Sequence, residues 1–112
     1  MKSIAAWTVI LAGAFLGGSG LIIAAAPAGP ATHTVVIENM QFTPQNLTVH
    51  PGDQVVFVNK DLFPHTATAD DKGFDSHDIA ANAAWKYQAG TPGEYAYGCT
   101  YHPTMKGKVT VR

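Results

Sequence analysis

Cys99, His102 and Met105 recur at three-residue intervals in Cys99-Thr100-Tyr101-His102-Pro103-Thr104-Met105, and another imidazole, His65, stands upstream in Phe63-Pro64-His65-Thr66. A thiolate, two imidazoles and a thioether form a soft donor set. Two nitrogens and a sulfur in a near-trigonal plane, with a weak methionine on the axis, suit one copper ion cycling between Cu(II) and Cu(I). The two valences prefer different geometries. A site that fits neither perfectly changes little on reduction, so electron exchange costs little rearrangement. On this reading Cys99 is deprotonated by the metal, His65 and His102 complete the plane, and Met105 sits on the axis. Methionine is a poor zinc ligand, which disfavours zinc. Taken alone, Cys99 would read as a small buried hydrophobe. With His102 and Met105 beside it, the ligand reading prevails.

The donors need a scaffold that holds them before metal arrives. Thr34–Glu38 is β-branched and short, a first strand after a flexible lead-in at Gly29–Thr32. Leu47–Val49, the near-continuous apolar run Gln54–Asn59, Trp85–Gln88, Glu94–Cys99 and Gly107–Val111 read as further strands. Pro51-Gly52-Asp53 and Thr91-Pro92-Gly93 supply the turns. Asp61–Asp71 is a loop carrying His65, and Ile79–Ala84 reads either as a helical turn or as an irregular crossing. The two-residue period places Tyr95, Tyr97 and Cys99 on one inward face. Phe57, Trp85, Tyr95 and Tyr97 are core aromatics by default. Pro103 stiffens the ligand loop through its fixed φ, and Pro64 restrains the residue before it. Short strands, Gly and Pro turns and no long helical period predict an all-β Greek-key β-sandwich.

From about Thr34 to Val111 the chain resembles a small cupredoxin of the plastocyanin and pseudoazurin kind. The resemblance rests on the ligand segment together with Phe42-Thr43-Pro44, Val49-His50-Pro51-Gly52-Asp53, Val55-Val56-Phe57-Val58-Asn59 and Pro92-Gly93-Glu94-Tyr95-Ala96-Tyr97. The two-residue spacers on either side of His102 are most similar to amicyanin. The resemblance implies a cupredoxin domain over 29–112, one copper held by His65, Cys99, His102 and Met105, and an N–H bond from Thr66 to the Cys99 sulfur. Three departures stand out. Tyr101 replaces a proline, and its retained N–H could give the sulfur a second bond that stabilises Cu(I) and raises the potential. Thr66 replaces an asparagine that ties the two ligand loops, and its hydroxyl could reach Thr100 instead. Thr104 replaces a phenylalanine before the axial methionine, implying a smaller apolar patch around the edge of His102.

Among 112 residues, none between Lys2 and Glu38 is Asp, Glu, Lys or Arg. One basic residue, an apolar stretch from Ile4 and the small-residue exit Ala26-Pro27-Ala28 read as a signal peptide over 1–28. The alternative is an uncleaved membrane anchor, since the stretch is long enough to cross a bilayer. Both leave the folded part outside the cytoplasm, in the periplasm or on the outer face of the membrane. An exported domain with a single cysteine forms no internal disulfide. Without Lys2, six basic residues face eight acidic ones, with no basic stripe, which excludes nucleic acid as a partner.

The leading function is a monomeric one-electron carrier with transient redox partners, a dehydrogenase or a cytochrome, docking through small and quickly released interfaces. The alternative is copper binding or delivery without electron traffic. Such proteins more often use Met-rich or His-rich tracts, and this chain has three methionines. A copper enzyme is disfavoured because it needs additional metal sites. His33 is assigned to the frayed start, His50 to a turn edge and His77 to a polar loop, without a metal role.

Overall fold

The computed structural model describes residues 29–112, so the signal or anchor segment expected at 1–28 lies outside the described residues. Eight strands follow in order: β1 (Thr32–Glu38), β2 (Gln41–Thr43), β3 (Asn46–Val49), β4 (Gln54–Asn59), β5 (Thr68–Ala69), β6 (Ala84–Gln88), β7 (Gly93–Cys99) and β8 (His102–Val111). They form two mixed four-stranded sheets, ordered β2-β1-β4-β6 and β3-β8-β7-β5, with no helix among the described residues. This is the β-sandwich expected from the strand and turn pattern.

Alternation drives the pairing. Val35 and Ile37 of β1 are fully buried, as are Val55, Phe57 and Asn59 of β4. Parallel pairing sets Val35 opposite Phe57 and Ile37 opposite Asn59, which keeps both apolar rows on the core face. The opposite sheet supplies Val49, Tyr97, Val109 and Val111. The sheets meet through edge-on aromatic contacts, with ring centroids 4.7 Å apart for Phe42–Tyr97 and 5.3 Å for Phe57–Tyr97. Tyr97 lies over Gly107, where a Cβ would approach the ring Cζ to 2.4 Å. Trp85 and Tyr95 are only partly buried against this core, while Phe42 and Phe74 are inside it.

Several boundaries differ from the sequence expectation. β1 begins at Thr32, so His33 is a strand residue paired with Val55, and its Nε2 stands 3.0 Å from the Asp53 carboxylate. That carboxylate also accepts bonds from the N–H groups of Ala31 and His50, which pins the start of the chain to the Pro51–Asp53 turn. β2 was not expected. It follows a two-residue turn, Asn39–Met40, in which both residues are left-handed, with φ of 56° and 62°. Residues 79–83 cross irregularly despite their alanines, and Ala84 already belongs to β6. Ile79 exchanges backbone bonds with His65, and the Asn59 backbone bonds to Asn82 and Ala83, so tertiary partners override helix propensity.

Candidate metal centre

Cys99 is the last residue of β7, behind a register irregularity at Gly98/Cys99. His102 is the first residue of β8 and stands opposite Cys99 in the ladder, so Thr100 and Tyr101 alone make the turn. The ligand segment is therefore a tight hairpin end rather than a free loop, and Met105 lies within β8 with 1% of its surface exposed. His65 arrives from the long connection between β4 and β5. Its backbone N–H donates to Ile79 O at 3.2 Å, and its carbonyl accepts from Ile79 N at 2.7 Å.

The fold brings His65, Cys99 and His102 together. Their three donor atoms lie within 4.8 Å of one another. Cys99 Sγ stands 3.7 Å from His65 Nδ1 and 3.6 Å from His102 Nδ1. Donors bound to one ion at about 2.0 Å for nitrogen and about 2.3 Å for sulfur stand about 3.5–3.7 Å apart at angles between tetrahedral and trigonal. The spacing thus accepts one first-row metal ion, and the softness of the donors selects copper. His65 is fully buried, Cys99 nearly so, and the His102 ring is half-buried with its centroid 5.0 Å from that of His65.

Two polar residues, the buried Asn59 and the half-buried Asp61, anchor the connection that carries His65. The Asn59 side chain donates to Phe63 O at 2.9 Å and to Ile79 O at 2.8 Å, and its Oδ1 accepts from Asp61 N at 2.9 Å. Both its amide hydrogens and its oxygen are engaged. The Asp61 carboxylate accepts from Asn39 N, Met40 N and, at 2.7 Å, from His65 Nε2. Burial pushes the Asp61 carboxyl up, but the bonds from Asn39, His65 and Met40 together hold it below the usual carboxylate range. Neither residue was singled out from the sequence. The only signal for Asp61 is its place four residues before a ligand histidine.

The sulfur accepts a bond from Thr66 N at 3.3 Å, as the family resemblance implied. Among the described residues, the N–H of Tyr101 makes no such bond, so the second bond expected there does not form. Thr66 and Thr100 do tie the loops: Thr100 N donates to Thr66 Oγ1 at 2.9 Å, and the two hydroxyls are 3.2 Å apart. Tyr101 instead turns outward and donates its hydroxyl to the Asp78 carboxylate, which raises the phenol above its ordinary pKa. Leu62 and Phe63 are 90% and 45% exposed, and the Phe63 ring lies 6.0 Å from the His102 ring. His77 is exposed on its polar loop, 3.7 Å from the Asp75 carboxylate.

The Cupredoxin-like domain family matches residues 3–111. Amicyanin-alpha of Methylorubrum extorquens is 32% identical over 91 residues, covering 77% of this chain and 75% of the relative. Amicyanin of Paracoccus versutus is 35% identical over 89 residues, covering 73% and 67%. Plastocyanin of a Synechococcus species is 28% identical over 122 residues, covering 92% and 90%. Among solved structures, an amicyanin variant in its Cu(I) form superposes with a TM-score of 0.67 at 29% identity, covering 72% of this chain and 82% of that one. The copper-containing nitrite reductase of Thermus scotoductus superposes with a TM-score of 0.69 at 29% identity, with 81% of this chain matching only 24% of the enzyme.

Proposed function

The chain belongs to the cupredoxin family, and on that footing we propose that it is a type 1 (blue) copper protein carrying single electrons outside the cytoplasm. In this reading His65, Cys99, His102 and Met105 would hold the ion. The observation that carries it is the triangle of His65 Nδ1, Cys99 Sγ and His102 Nδ1, with N···S edges of 3.7 and 3.6 Å and an N–H donor already set on the sulfur. When bound, copper supplies the one-electron couple.

Everything else is the work of the chain. Ile79 bonds the His65 backbone, Asp61 bonds its ring, and Asn59 in turn holds Ile79 O and Phe63 O. The Thr66–Thr100 tie keeps the His65 connection in register with the hairpin. Such a frame leaves the donors little room to follow a change of valence. The half-buried His102 lies beside Phe63 and leads to the solvent, so electrons enter and leave by its edge. Exposed Phe63 beside that edge, with its exposed neighbour Leu62 and the outward Tyr101, offers a small apolar surface for transient redox partners, a dehydrogenase or a cytochrome. Among the described residues, one cluster of three metal-binding donors offers a place for a single ion. We place the domain at 29–112, behind a signal segment at 1–28.

The test is addition of Cu(II) to the purified protein, read by visible absorption and by electron self-exchange. An intense blue colour that is absent from Cys99→Ala, with fast exchange, is the expected result. Colourless binding of Cu(I) alone would overturn the carrier and favour copper handling.

A further inference from the structure

We propose that Asp61 is a positioning residue of the metal centre: its carboxylate accepts the His65 Nε2–H and thereby holds the ring with a bare Nδ1 facing Cys99. The proposal rests on the copper reading for its effect on potential, though not for the ring geometry itself.

The argument starts from proton count. An ionised carboxylate has no proton to give, so in the 2.7 Å contact between His65 Nε2 and Asp61 Oδ2 the nitrogen is the donor. A neutral imidazole carries one ring proton. With that proton on Nε2, Nδ1 is left with a lone pair, and Nδ1 is the atom 3.7 Å from Cys99 Sγ. The tautomer able to bind metal is thus selected before metal arrives.

The carboxylate cannot swing away to make a better bond elsewhere. Its Oδ1 accepts from Asn39 N at 2.8 Å and its Oδ2 from Met40 N at 3.1 Å. Asp61 N is itself held by Asn59. The Asn39–Met40 turn keeps two non-glycine residues left-handed, a conformation that costs about 1–2 kcal/mol per residue. By accepting these three bonds, one carboxylate satisfies a strained turn and orients a ligand. The side chain is only 11% exposed, so its charge is poorly screened.

A histidine that donates to a carboxylate is a more basic ligand, and losing such a partner costs about 10–100-fold in metal affinity. Higher ligand basicity and a nearby negative charge both favour Cu(II) over Cu(I). Removing the charge should therefore raise the reduction potential. A residue that merely capped the turn would leave the potential unchanged.

The experiment has two arms. In the copper-free wild type, nitrogen-15 NMR of the His65 ring should show one tautomer, protonated at Nε2. In the copper-loaded protein, Asp61→Asn, which keeps the side-chain shape and removes the charge, should raise the ratio of Cu(I) to Cu(II) affinity at least tenfold, equivalent to 59 mV. An Nδ1–H tautomer in the wild type, or a ratio within twofold of wild type in the variant, overturns the proposal. If the variant fails to fold, the wild-type tautomer still decides. A wild type that takes up no copper would sink the carrier reading, while an Nε2–H tautomer in that same protein would still uphold positioning by Asp61.

Discussion

Asn59→Asp is the sharpest test of how the His65 connection is held. Asn59 is fully buried, and its amide nitrogen serves Phe63 O at 2.9 Å and Ile79 O at 2.8 Å. Replacing that nitrogen by oxygen keeps the shape and turns two attractions against the carbonyls. A protonated carboxyl can still donate to one of them, whereas an ionised one can donate to neither. Each orphaned buried group costs about 1–3 kcal/mol. Phe63 O is near enough to the surface for water to replace part of its bond, which puts the total at about 2–5 kcal/mol near neutral pH. That is a large share of the roughly 5–15 kcal/mol that holds a domain together. The loss has a pH signature. Burial against two carbonyls raises the folded pKa of the introduced carboxyl above its unfolded value of about 3.9. The variant's deficit is therefore smallest below about pH 4 and widens as pH rises through the folded value. Urea unfolding of the copper-free protein at pH 4 and 7 measures it, free of the stabilisation that bound metal would add. A deficit below about 1 kcal/mol at pH 7, or one equal at both pH values, would refute the reasoning.

Two further substitutions probe the frame. Gly107→Ala would put a Cβ 2.4 Å from the Tyr97 ring, which faces it across the β7–β8 hairpin. Overpacking of this kind costs about 1–3 kcal/mol, a fall of at least about 4 °C in a thermal scan of a domain this size. An unchanged midpoint would mean that the ring is free to move aside. Asp53 is held well below the usual carboxylate range by the His50 N–H first, then the Ala31 N–H and the His33 ring. A depressed folded pKa gives stability that is present above the unfolded value of about 3.9 and lost as pH falls through the folded one. Asp53→Asn should flatten the acid limb of the stability profile, as followed by circular dichroism, and an acid limb as steep as wild type would dismiss that role.

Residue type and spacing were enough to pick out His65, Cys99 and His102, because few other chemistries require two imidazoles and a thiolate around one point. The strands were legible where alternation was strong, as in Thr34–Glu38 and Gln54–Asn59, since a one-residue slip there would expose every core side chain. The turn at Asn39–Met40 and the strand β2 after it were not legible. Met40 has no intrinsic preference for a left-handed φ, and what keeps it there is a carboxylate 21 residues away. At 79–84 the sequence left a helical turn and an irregular crossing both open, and bonds to His65 and Asn59 decide for the crossing.

The turn at 39–40 and the crossing at 79–83 share one physical origin. Both are held by Asn59 or Asp61, or by bonds to the ligand His65 itself. Local propensity describes a chain that satisfies itself with near neighbours. Around this centre the backbone is instead satisfied by residues about twenty positions distant, at the expense of regular structure. That exchange is what a rigid metal pocket demands. A helix at 79–84 would have turned its carbonyls onto itself and left His65 and Asn59 without their partners, and a relaxed turn at 39–40 would have taken two donors from Asp61. The irregular parts of this sandwich are therefore where its chemistry is built, and they are the places where substitutions should separate stability from potential.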